Sequence, residues 1–152
     1  MKVTIIIGPR GCGKLAKARE MAERRSPQWR ECYAPPEDDP SSVNYRVLRR
    51  DGKPPPVDGK RRVVGAFIFA NAHEFTADQF LRASGYALDS DADLILTTVG
   101  TAACKMFNGR PVWLDKLIAS DIVELIELQP QTKAQKDFAR ICAIIERPTE
   151  GF

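Results

Sequence analysis

The chain has 152 residues, 43% of them hydrophobic, and a formal charge of +3 from 23 basic and 20 acidic side chains. That length suits a single domain with a real core, and the charge is too small to imply a nucleic-acid partner by itself. No apolar run approaches the roughly 20 residues that a bilayer requires, so no membrane segment is expected.

The first element is the apolar run Lys2-Val3-Thr4-Ile5-Ile6-Ile7, which reads as a buried strand. Gly8-Pro9 cuts it below the length of a signal peptide. The loop Gly8-Pro9-Arg10-Gly11-Cys12-Gly13-Lys14-Leu15 follows, and residues 14–25 predict a helix with Leu15, Ala18, Met21 and Ala22 at helical spacing. Ser26-Pro27 ends it. Residues 28–62 read as a Pro-rich, basic excursion from the core, with Pro35, Pro36, Pro40, Pro54, Pro55 and Pro56 and an acidic patch at Glu37-Asp38-Asp39. Within it, residues 43–48 predict a short strand, one arm of a hairpin closed by Asp51-Gly52.

Residues 63–70 (VVGAFIFA) form a continuous apolar run, the mark of a strand buried on both faces of a parallel sheet. A helix over 76–88 follows, with Thr76 as N-cap and Phe80, Leu81 and Ala87 facing inward. Residues 93–98 predict another buried strand. Residues 100–107 predict a helix, ended by the turn Gly109-Arg110-Pro111. Residues 122–128 predict a strand and 132–146 an amphipathic helix. Strand alternating with helix implies an α/β fold: a three-layer sandwich with a mostly parallel sheet, helices on both faces, and one domain over 1–152. Cys12, Cys32, Cys104 and Cys142 are widely spaced and the chain has one histidine, so neither zinc nor a disulfide framework is expected. The composition reads as cytoplasmic with free thiols.

The loop carries the main functional signal. Gly8, Gly11 and Gly13 permit backbone geometries that turn successive N–H groups into one concavity able to hold an anion. The start of the following helix adds a positive end, and Lys14 adds a full charge. Gly8, Gly13 and Lys14 match the phosphate-binding loop, but the last position of that pattern is a Ser or Thr that binds magnesium, and here it is Leu15.

With this loop after the first strand, the chain resembles the P-loop nucleoside triphosphatase superfamily, and within it the division of RecA-like, AAA+ and FtsK- or Zot-like ATPases. That division ends a buried strand with Asp, which supports magnesium, and usually Glu, which activates water. Its local form Ile-Ile-Asp-Glu-Ala-His can be laid over Ile68-Phe69-Ala70-Asn71-Ala72-His73. Ala70 then takes the place of the Asp and Asn71 that of the Glu. The resemblance implies phosphate binding by Gly8, Gly11, Cys12, Gly13, Lys14 and Leu15, with ATP or another NTP as ligand and magnesium deprived of its usual protein ligands. Asn71 and Glu74 are the residues left to orient or activate a water. Thr97 and Thr98, ending the next strand, resemble the polar residue that senses the γ-phosphate, and Arg110 is the internal candidate for a phosphate-contacting arginine. Cys12, inside the loop, is expected to react with alkylating agents in competition with nucleotide.

These residues imply a nucleotide-binding protein with slow or absent hydrolysis, similar to small accessory proteins of phages and mobile elements. Three alternatives stay open. One is an active ATPase or motor that needs a partner. Another is a small phosphotransferase with Gly109-Arg110-Pro111 in a lid. The third is an interaction module that holds nucleic acid or a protein through Arg46, Arg49, Arg50, Lys60, Arg61 and Arg62. The sequence sets no oligomeric state.

Overall fold

The computed structural model describes residues 1–26, 28–34, 44–49, 64–89, 91–99 and 110–145. In chain order the elements are β1 (Val3–Ile7), α1 (Lys14–Arg25), β2 (Gln28–Tyr33), β3 (Asn44–Arg49), β4 (Ala66–Phe69), a 3-10 turn (Ala72–Glu74), α2 (Ala77–Asp89), β5 (Asp93–Thr98), α3 (Val112–Ile118), β6 (Val123–Glu127) and α4 (Lys133–Ile145). The strands form one sheet in the order β3-β2-β4-β5-β1-β6. Five run parallel, and β3 pairs antiparallel with β2 at the edge. The fold is α/β.

Alternation along each strand divides the core into two layers. On one face Ile6, Ala66, Ile68 and Ile95 pack with Trp29 and with Ala18 and Ala22 of α1. Two alanines at that spacing let the α1 backbone lie close against the sheet. On the other face Ile5, Phe67, Phe69, Leu94 and Leu96 pack with Phe80, Ala83 and Ala87 of α2 and Leu114 of α3. Phe80 stacks on Trp113 with ring centroids 4.5 Å apart, and the Trp113 indole N–H donates to Phe75 O at 2.9 Å, so α2, α3 and the turn before α2 are locked together. Thr76 caps α2 as expected: Gln79 N–H donates to Thr76 Oγ1 at 3.2 Å, and Thr76 N–H donates to Gln79 Oε1 at 2.9 Å.

Four features depart from the sequence reading. Residues 28–33, assigned to an excursion, are a strand inside the sheet, and β2 pairs parallel with β4 from Trp29↔Ala66 to Cys32↔Phe69. The charges Arg30 and Glu31 disguise it, because Glu31 is fully buried. The strand 44–49 forms its hairpin with β2, and Asp51-Gly52 lies outside the described residues. Leu81 is 66% exposed, and Ala83 takes the inward place on α2. Residues 112–118, to which the sequence reading gives no element, form a helix, while the expected helix over 100–107 lies outside the described residues. Among the described residues, no helix is long and apolar enough to cross a membrane.

Candidate functional site

The topology fixes where a ligand can sit. The chain leaves β1 for α1 on one face, whereas α2 after β4 and α3 after β5 lie on the other. β1 and β5 are neighbours. Their C-terminal ends therefore border a crevice at a topological switch point, the usual ligand site of an open α/β sheet. Here the structure has a cavity of about 410 Å³. Its walls are Arg10, Gly11 and Gly13 of the loop with the first turn of α1 to Ala16, Tyr33 at the end of β2, Ala70, Asn71, His73 and Glu74 after β4, and Thr97 and Val99 at the end of β5.

The loop is held from both ends. Gly8 N–H donates to Thr98 O at 3.3 Å, tying the loop's first residue to β5. A Cβ at Gly8 would stand 2.7 Å from Cys12 Sγ and 2.8 Å from Leu128 O, so this close approach admits only glycine. Gly11 and Gly13 have φ of 79° and 84°, the left-handed region where glycine alone is unstrained. Lys14, the first residue of α1, curls back over the loop, and its Nζ donates to Gly8 O at 2.8 Å and Pro9 O at 2.9 Å. The ammonium is thus fixed at the floor of the cavity beside the N-terminus of α1.

The turn after β4 is anchored to β5. Asn71 adopts φ 52° and ψ 61°, and its N–H donates to Thr97 Oγ1 at 2.9 Å. His73 Nδ1 lies 3.1 Å from Thr98 Oγ1. Burial, reinforced by the charges of Arg10, Lys14 and Arg110, lowers the His73 pKa to about 4, so the imidazole is neutral at pH 7. Arg110 is itself bonded through Nε to Asp115 Oδ1 at 2.8 Å.

A second polar cluster supports the far wall. Glu31 receives Arg19 through Nε and, at 3.2 Å, through Nη2, and accepts the Tyr33 hydroxyl at 2.6 Å. Burial pushes the Glu31 carboxyl up, but the bonds from Arg19 and Tyr33 outweigh it and hold the group below its ordinary value. Burial and the bond to Glu31 raise the Tyr33 phenol. Burial also pushes Cys32 up to about 12.

Of the residues singled out in the sequence, Gly11, Gly13, Lys14, Leu15, Asn71, Glu74 and Thr97 line one cavity. Gly8 and Cys12 brace the loop from behind it. Cys12 is 7% exposed, with its sulfur packed under Gly8, so alkylation there requires the loop to open. Thr98 is fully buried and acts on the cavity through His73. Arg110 is not on the wall and acts on it electrostatically. Arg46 and Arg49 lie on β3 in register with Glu31 and Gln28, so Arg49 is at the end of the hairpin away from the cavity. Arg50, Lys60, Arg61 and Arg62 lie outside the described residues. Sequence reasoning missed Tyr33 and gave Arg10 no role. Tyr33 became a wall residue only once β2 was placed beside β4. Among the described residues, no three His, Cys, Asp or Glu side chains gather as a metal site requires. The cysteines among the described residues, Cys12, Cys32 and Cys142, are free thiols. No protein-family model matches this chain, and no curated protein shows significant similarity to it.

Proposed function

We propose that the chain binds the phosphates of a nucleotide, ATP foremost, in the cavity between the loop and the turn after β4, and hydrolyses it slowly or not at all. One observation carries the reading. The loop glycines and Lys14 share a single cavity with Asn71, Glu74 and Thr97, which are distant in sequence and come together at the switch point of the sheet. Two left-handed glycines give the loop the kind of backbone from which anion-holding concavities of N–H groups are built, and the N-terminus of α1 adds its partial positive charge. Lys14 and Arg10 supply full charges. The choice of ATP rests on the resemblance of loop and strand end to P-loop ATPases.

The residues present do not fit a protein-held magnesium ion. Magnesium takes near-octahedral oxygen ligands, and the loop offers Leu15 where a hydroxyl would stand. Ala70 presents a methyl group where an acid would support the ion. Glu74 is the one carboxylate on the described wall. Hydrolysis needs a base for the attacking water, and the Asn71 amide cannot accept its proton. Asn71 is left to orient a water and the loop to bind.

The test is calorimetric titration of ATP, with and without magnesium, into the wild type and Lys14→Ala. The expected result is binding that disappears in Lys14→Ala and changes less than about threefold with magnesium. No binding by the wild type in either condition overturns the reading. Binding that requires magnesium overturns the statement about the metal.

A further inference from the structure

His73 is the only histidine in the chain, and it stands on the cavity wall. Its Nδ1 is held by Thr98 Oγ1, and Thr98 is fully buried, so the ring is fixed against the end of β5. Nε2 has no hydrogen-bond partner among the described residues. The charges that face the ring come from every element around it. Arg10 on the loop, Lys14 at the start of α1 and Arg110 ahead of α3 are cationic. Glu74, exposed on the same turn, is the one wall carboxylate among the described residues, and the Tyr33 hydroxyl is engaged by Glu31.

We propose, building on the phosphate-binding reading above, that His73 takes up a proton when a metal-free polyphosphate enters the cavity and then donates a hydrogen bond to it through Nε2. The imidazolium thereby supplies part of the positive charge that magnesium supplies in metal-dependent sites. The threonine suits this change. A hydroxyl both donates and accepts, so the contact to Nδ1 survives whether that nitrogen is bare or protonated.

The electrostatics give the direction. Without ligand, burial and three cations hold the ring neutral down to about pH 4. A polyphosphate brings several negative charges among those cations and reverses the field at the ring, which raises its proton affinity. Linkage is reciprocal, so the ligand must bind more tightly as the pH falls. Each pH unit by which the bound ring's titration rises above the free ring's is worth up to about tenfold in affinity at pH values below both.

A lone imidazole gives one NMR signal to follow. The wild type, freed of metal with EDTA, is titrated from pH 8 to pH 5 alone, with saturating ATP, and with saturating tripolyphosphate. Heats of binding are recorded on the same samples. The free ring is expected to stay neutral to pH 5, and the bound ring to titrate at least one pH unit higher than the free one. His73→Gln is judged by its own ratio of affinities at pH 5 and pH 8, which should lose the wild-type gain at pH 5 apart from the titration of the phosphates themselves, which the variant reports. Heat of binding with a ring that stays neutral at pH 5 overturns this proposal and leaves phosphate binding standing. No heat with either probe at any pH overturns both.

Discussion

Arg19→Met tests how the far wall of the cavity is held. Glu31 has no exposed side-chain surface, whereas Arg19 is 41% exposed. The carboxylate is satisfied by two guanidinium donors and by the Tyr33 hydroxyl at 2.6 Å. Removing the guanidinium leaves a buried charge with the phenol as its main donor. Breaking a buried ion pair from one side costs about 3–5 kcal/mol. Water reaches Arg19 in part, so the lower range applies, about 2–3 kcal/mol. The double variant Arg19→Met/Glu31→Met removes both charges and should recover most of that loss, because apolar replacement of a buried pair is often neutral.

Urea denaturation of the wild type, both single variants and the double variant at pH 7 and pH 4 reads these differences directly. The sign with pH follows from Glu31, whose folded pKa is lowered from 4.5. Its contribution is present above about 4.5 and is lost as the pH falls through the folded value. The Arg19→Met penalty must therefore shrink at pH 4, where a growing share of the unpartnered acid is protonated. A penalty below about 1 kcal/mol at pH 7, or one equal at both pH values, refutes this account of the pair.

Three further outcomes are expected. Gly8→Ala places a methyl group 2.8 Å from a backbone oxygen, Leu128 O, and should cost about 1–3 kcal/mol, read as a fall of roughly 3–10 °C in the melting temperature. Thr97→Val takes the acceptor from the Asn71 N–H and should lose about 1–2 kcal/mol in urea denaturation, with Thr97→Ser close to wild type. On the nucleotide-binding reading, Leu15→Thr puts a hydroxyl in the first turn of α1, and the proposed ATP affinity should gain magnesium dependence in calorimetry. Turnover should remain near background in a phosphate-release assay, because Ala70 and Asn71 still offer no acid and Glu74 stands in the turn beyond them; turnover that Glu74→Gln abolishes would make Glu74 the base.

The elements that were legible share one property: their burial leaves a local mark. β1, β4 and β5 lie within the sheet and show unbroken apolar runs, and α1 carries Ala18 and Ala22 at helical spacing. β2 lies within the sheet too, but its buried Glu31 is neutralised by Arg19 from a different element. A pair made across elements leaves no pattern in either segment, so the strand read as surface. α3 is seven residues long, too short for periodicity to declare itself beside Pro111. The same distinction divides the site. The loop was legible because glycine spacing is local, whereas Tyr33 and the field on His73 depend on which strands are neighbours.

The departures from a metal-dependent loop then read as one change rather than several. A magnesium ion beside a nucleotide keeps several of its waters and takes its remaining oxygen ligands from the phosphates and from one or two protein groups. Among the described residues this wall has one carboxylate, Glu74, against Arg10 and Lys14, with Arg110 close enough to act on the His73 imidazole. A polyphosphate entering such a cavity meets part of its counter-charge in the protein itself. Leu15 and Ala70 are then what remains at positions where, on the phosphate-binding reading, a metal ligand would have nothing to hold.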